Sequence, residues 1–244
     1  MTLFLTSSPC IDGAPRAILN PANHFLAHIR HFLPGTPRCL FICSSPDYHY
    51  ATCEFGSHML IAFSEAGIPF ERYSVLDGRN EQEAAKLIAE SNFIILSGGH
   101  VPTQNAFFRK IKLDALLKDF KGVIMGISAG TMNCADTVYV QPEEPGESID
   151  PNYKRFAPGL GLTKANVCPH YQKVKHAMLD GKRLFEDITY GDSMEKTFFA
   201  LPDGSYILCK DGKEYLFGEA YRIRNGILEQ ICVNKQSVDL AKLY

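Results

Sequence analysis

Ser128 lies in the segment Gly126-Ile127-Ser128-Ala129-Gly130, directly after the apolar run Val123-Ile124-Met125. The order strand, G-x-S-x-G, helix is what a serine nucleophile requires. A tight strand-to-helix bend lifts the hydroxyl above a sheet, and backbone passes so close on either side that only small neighbours fit. The amide of Ala129, the residue after the serine, then points toward an oxyanion forming on the substrate. A second loop fits the same chemistry. Phe93-Ile94-Ile95-Leu96 runs into Ser97-Gly98-Gly99-His100, so Gly99 can offer a second amide donor at the carboxyl end of another strand. Each glycine pair is also what an ordinary strand-to-helix turn would need.

A serine hydroxyl attacks only when a base takes its proton. Of eight histidines, His24, His28 and His31 share one helix candidate, and His49, His58 and His176 lack strand-end placement. His170 follows Ala165-Asn166-Val167-Cys168-Pro169, where the proline biases Cys168 toward extended geometry, which puts His170 at the end of a short strand. The third member of such a site is a carboxylate that fixes the imidazole tautomer. Between Ser128 and His170 lie Asp136, Glu143, Glu144, Glu147 and Asp150, and local sequence does not choose among them.

The elements that must position these residues alternate along the first two thirds of the chain. Strands are expected at Leu3–Thr6, Cys39–Cys43, Phe70–Val75, Phe93–Leu96 and Val123–Ile127, mostly short apolar runs of the kind covered on both faces. Helices are expected at Asn23–Phe32, at Glu81–Glu90 behind an Asn80/Glu83 capping box, and at Thr103–Phe120. This alternation predicts an α/β fold, a three-layer α/β/α sandwich with a mostly parallel sheet. The last third reads as strands at Ser205–Leu208, Tyr215–Phe217, Ala220–Ile223 and Ile227–Val233, with Asp211-Gly212 and Asn225-Gly226 as hairpin turns. Residues 1–244 are read as one hydrolase domain, with 198–233 as an antiparallel β-hairpin extension.

Composition bounds the partners. With 244 residues and a formal net charge of −2, the chain gives no electrostatic reason to expect nucleic acid or an anionic membrane. No apolar run reaches the roughly 20 residues that span a bilayer, and the first residues lack the basic start of a signal peptide. The eight cysteines form no C-x-x-C pair and no zinc-ligand spacing, which suits reduced thiols in the cytoplasm. No metal or organic cofactor is expected. The expected partner is a small peptide substrate, with a homodimer left open.

Together, Gly98-Gly99, Gly126–Gly130, Pro158-Gly159-Leu160-Gly161-Leu162 and Pro169-His170-Tyr171 resemble the aspartyl dipeptidase (peptidase E) and cyanophycinase family of serine peptidases. The resemblance implies a sheet like that of class I glutamine amidotransferases, with serine at the elbow in place of cysteine. It implies nucleophile Ser128, base His170, and the amides of Gly99 and Ala129 as the oxyanion hole. It sets the acid on the loop between serine and histidine, at Glu143 by the peptidase E spacing and nearer Glu147 by that of cyanophycinase, with Glu143 preferred. For substrate it suggests peptides with N-terminal aspartate, or isopeptides, held by Arg183 with Gln104 and Tyr171 nearby. The enlarged loop Glu144–Tyr153 and the unmatched stretch Tyr171–His176 depart from that pattern. An esterase with the chain order Ser, acid, His, or a ligand-binding relative that keeps the elbow without catalysis, are the competing readings.

Overall fold

In each early strand, alternate residues face opposite sides of one sheet, and both sides are covered. The strands of the computed structural model, which describes all 244 residues, are β1 (Thr2–Thr6), β2 (Arg38–Ile42), β3 (Arg72–Leu76), β4 (Phe93–Leu96) and β5 (Val123–Ile127). Leu3, Leu5, Leu40, Ile42, Ile94, Leu96 and Ile124 pack into one buried cluster. Phe4, Cys39, Phe41, Phe93, Ile95 and Met125 pack into another. A period of two with apolar residues at both phases is the mark of a strand buried on both faces. Each fully buried large side chain contributes on the order of 2 kcal/mol.

Helices supply the two outer layers. The second cluster takes Phe25 and Ile29 from α1 (Phe25–Phe32) and Met59, Ala62 and Phe63 from α2 (His49–Glu65). The first takes Leu87 from α3 (Ala84–Ala89), Phe107 and Phe108 from α4 (Val101–Lys110), and Leu113 and Leu117 from α5 (Leu113–Leu117). The result is the expected three-layer α/β/α sandwich. The predicted helix Thr103–Phe120 is two helices, broken where Lys112 takes the left-handed conformation at φ 54°. The longest helix, α2, has no counterpart among the predicted elements.

The chain then adds β6 (Thr137–Tyr139) and β7 (Phe156–Pro158), paired as a small ribbon, then β8 (Asn166–Cys168), then the ribbon of β9 (Met178–Leu179) and β10 (Lys182–Arg183). The last strands are β11 (Phe198–Ala200), β12 (Tyr206–Lys210), β13 (Lys213–Phe217), β14 (Ala220–Arg224), β15 (Ile227–Cys232) and β16 (Ser237–Asp239). Asp211-Gly212 and Asn225-Gly226 form the hairpin turns, all four residues with positive φ.

The central sheet has the order β16-β13-β12-β1-β5-β4-β2-β3. From β1 to β3 every pairing is parallel, and β12, β13 and β16 continue it antiparallel beyond β1. A second sheet has the order β15-β14-β11-β8, with β8 and β11 parallel. Residues 198–233 are therefore divided between two sheets and do not form one hairpin extension. β12 is hydrogen-bonded directly to β1, which places it deep in the fold. No helix is long and apolar enough to cross a membrane, and all eight cysteines are free thiols.

Candidate active site

The carboxyl ends of neighbouring parallel strands deliver the chemistry. β5 ends at Ser128, whose backbone sits at φ 51°, ψ −111°, a region that L-residues rarely occupy. Its amide donates to the carbonyls of Thr6 (3.1 Å) and Ser7 (3.2 Å) at the end of β1. Glycine is required on both sides of the bend. A Cβ on Gly126 would lie 2.7 Å from the backbone of Thr131, and one on Gly130 would overlap the Leu96 carbonyl. Ala129 opens the single helical turn α6 (Ala129–Met132), so its amide has no partner within that turn.

The β4 loop lies against this bend. A Cβ on Gly98 would stand 3.4 Å from the Cβ of Ser128. Gly99 is at φ 149° and packs against the Ser44 side chain, and its amide donates to no group in the protein. Of the two amides expected at an oxyanion hole, that of Ala129 follows Ser128 directly and that of Gly99 lies one residue beyond the Gly98 contact.

His170 and its acid are joined by strand register. β8 and β11 run parallel with Cys168 opposite Ala200. His170 lies two residues past the end of β8 and Asp203 three past the end of β11. The His170 Nδ1 is 2.7 Å from Asp203 Oδ1, and the Asp203 side chain is only 3% exposed. An ionised carboxylate only accepts, so Nδ1 carries the hydrogen and Nε2 is left as the basic nitrogen. Burial penalises the Asp203 charge. The His170 hydrogen bond and charge, followed by the bonds from Ser7 and Lys173, outweigh that penalty and hold its pKa well below the usual carboxylate range.

Ser7 ties this pair to the elbow. Its hydroxyl donates to Asp203 Oδ1 at 2.8 Å and accepts from the His170 amide at 2.7 Å, while its carbonyl takes the Ser128 amide. The nucleophile candidate, the base candidate and a buried carboxylate therefore converge on one residue at the end of β1.

The carboxylates of the loop Gln141–Glu147, where the acid is expected, do not meet His170. Glu143 does not meet His170: its Oε1 accepts the Val101 amide at 3.0 Å, beside the Gly99 loop. Glu143 is an exposed residue, but desolvation at its carboxylate, partly countered by the Val101 amide, pushes its pKa up. Glu147 Oε1 is 2.9 Å from His100 Nε2, and its Oε2 accepts the amides of Glu143 and Glu144. Desolvation opposes the Glu147 charge, but the two amides and His100 bring its pKa down. His100 Nδ1 is held in turn by Thr103 Oγ1 at 2.7 Å. The donor atoms of His100, Glu144 and Glu147 lie within 4.8 Å of one another. The bonds of His100 and Glu147 account for this grouping as a clasp between the loop and the start of α4.

The three residues expected to contact substrate are also otherwise occupied. Gln104 is fully buried, donating to the Ser97 carbonyl at 2.7 Å and accepting from Asn133, so it fixes the β4 loop from behind. Tyr171 packs edge-on against Phe185 and beside Tyr221, and burial pushes its phenol up to about 12. Arg183 is exposed on β10 and forks onto Asp187, at 2.6 and 3.0 Å. Its guanidinium already has the carboxylate partner that a substrate would have supplied.

Asp203 lies beyond His170, outside the stretch between Ser128 and His170 in which the sequence places the acid. The available signal was the apolar run Phe198–Leu201 ending in Pro202-Asp203-Gly204, a second strand end with a carboxylate on it.

A strained serine at a strand-to-helix bend, within a three-layer sandwich and joined through Ser7 to a histidine–carboxylate pair, is the arrangement of a serine hydrolase of the α/β type. The sequence profile of Peptidase family S51 matches residues 3–216, and the chain belongs to that family. It is a serine-type peptidase. No curated protein matches the sequence. Among solved structures, the chain is similar to a Listeria monocytogenes EGD-e protein provisionally assigned as a peptidase E. The identity is 16% and the TM-score 0.58, over 95% of this chain and 98% of that one. At that identity the likeness speaks for the fold.

Proposed function

We propose that the protein hydrolyses small peptides through an acyl-enzyme on Ser128, with His170 as general base and Asp203 as the carboxylate that orients it. The observation that carries this reading is the convergence on Ser7, which links the Ser128 bend to the His170–Asp203 pair. His170 Nε2 takes the Ser128 proton as Oγ attacks the scissile carbonyl. The oxyanion is received by the Gly99 and Ala129 amides, which hold their positions before charge develops. His170 then protonates the leaving amine, and a water activated by the same nitrogen releases the acid. Asp203 stays ionised throughout and stabilises the imidazolium.

Peptides with N-terminal aspartate and isopeptides are the substrate classes that the family suggests. The pairing of Arg183 with Asp187 means that recognition of an aspartyl carboxylate rests on another group or requires that pair to open. Labelling with a fluorophosphonate probe, followed by a dipeptide and p-nitrophenyl ester panel, tests the reading. Wild type is expected to label and to cleave dipeptides in preference to esters. Ser128→Ala is expected to lose labelling and about 10⁴-fold or more of turnover. A native protein that never labels is a binding relative, and a preference for esters returns the esterase.

A further inference from the structure

Asp203 has a second charged partner that the proposed reaction does not use. Its Oδ1 is occupied by His170 and Ser7. Its Oδ2 faces the ammonium of Lys173 at 3.0 Å. Lys173 belongs to α7 (Tyr171–Val174), the single turn that starts directly after His170, and its amide donates to the His170 carbonyl at 2.8 Å. The same ammonium lies 2.6 Å from Asp12 in the loop after β1. Next to it in the chain, Gln172 Oε1 accepts the Asp203 amide at 3.0 Å. Neither a lysine nor an acid at these places is needed to close the backbone. Lys173 and Asp12 are both half exposed, yet the lysine reaches from there onto a carboxylate that is almost wholly buried.

We propose that Lys173 is a positioning residue for the His170–Asp203 pair: it fixes the outer oxygen of Asp203 and offsets part of its charge, so setting the pH at which the site becomes active. The inference rests on the triad reading above. The charged or titratable groups around Asp203 are His170, which precedes α7, Lys173 from α7, and Cys10 and Asp12 from the loop after β1. Burial, with the Asp203 charge second, pushes the Cys10 thiol up to about 11, so Cys10 is neutral at physiological pH. The local charge is then −1 from Asp203, −1 from Asp12 and +1 from Lys173, before His170 takes a proton. Without Lys173 it becomes −2, and an imidazolium is held more strongly. The base would be titrated away at a higher pH. Asp12 acts in the opposite sense, adding a negative charge that Lys173 has to share.

The test uses the full-length protein and the second-order rate of fluorophosphonate labelling at Ser128 between pH 5 and 9, about the span over which histidine titrates. For Lys173→Met, the acidic midpoint of that rate moves up by about 0.5 to 1 pH unit, as expected for a lost neighbouring charge partly screened by water. Labelling at the acidic end falls about three- to tenfold. Lys173→Arg keeps the wild-type midpoint, and Asp12→Asn moves it down. If Lys173→Met and Asp12→Asn both leave the midpoint in place while thermal stability falls, Lys173 is a surface tie only and the proposal is overturned. If Lys173→Arg shifts as far as Lys173→Met, charge is not the cause and the proposal likewise fails. Wild type that does not label, or Ser128→Ala that does, overturns the triad reading itself and is distinguishable from either result.

Discussion

Exchanging the two carboxylates that compete for the triad position gives the sharpest prediction. Asp203→Asn keeps the size of the side chain but removes the charge that faces His170 Nδ1 at 2.7 Å. Asp203 is buried and the imidazole is 30% exposed. With charge centres about 4 Å apart and an effective dielectric near 20, the imidazolium loses about 4 kcal/mol of stabilisation in the transition state. That corresponds to about a thousandfold in rate. An asparagine must also choose which way to present its amide. Turning its oxygen toward His170 and Ser7 sets its NH2 group against the Lys173 ammonium, and the reverse rotamer favours the wrong imidazole tautomer. The expected fall in kcat/KM is therefore about 10³- to 10⁴-fold. Glu143→Gln keeps an acceptor for the Val101 amide and touches neither Ser128 nor His170, so its loss should stay under about tenfold. Both variants would be compared by dipeptide hydrolysis and by fluorophosphonate labelling rate, with far-ultraviolet circular dichroism as the folding control. A Glu143→Gln enzyme that loses a hundredfold while Asp203→Asn retains most activity would refute the assignment.

Two further predictions concern stability. Desolvation raises the Glu143 pKa, and a group raised on folding contributes stability that is present below its unfolded pKa and lost as pH rises through the folded value. Glu143→Gln should thus melt at the same temperature as wild type or higher at pH 7, with the difference shrinking below pH 4, as calorimetry across that range would reveal. Gly130→Ala places a methyl group against the Leu96 carbonyl and 2.8 Å from the Leu96 side chain. It should cost about 2 kcal/mol, or about 4–8 °C in Tm for a chain of this size. An unaltered melt with full activity would mean that the elbow is more loosely packed than these distances imply.

What the sequence made legible follows from how each feature is encoded. The parallel strands are continuous apolar runs, and the elbow is a glycine pattern local to five residues. The hairpin turns are dipeptides with a conformational preference of their own. The base was found because Pro169 and a short apolar run mark a strand end at His170. Helix α2 escaped because exposed Tyr50 and Ile61 break its apolar face, while small or polar Gly56 and Thr52 are buried. The carboxylate escaped for a different reason. Asp203 reaches His170 only because β8 and β11 pair in parallel, and pairing between strands 30 residues apart leaves no periodic trace in either of them. The loop rich in glutamates attracted attention by composition, yet its acids serve backbone amides and His100.

Ser7 makes the order of synthesis matter. It sits 163 residues before the histidine whose amide it receives and 196 before the aspartate to which it donates. The strand that carries it stays open along one edge until Tyr206–Lys210 arrive. A nascent chain stalled between His170 and Asp203 holds the imidazole without the carboxylate that pairs with it. On the proposed triad, the site is complete only once Asp203 has emerged and its strand has paired with Asn166–Cys168.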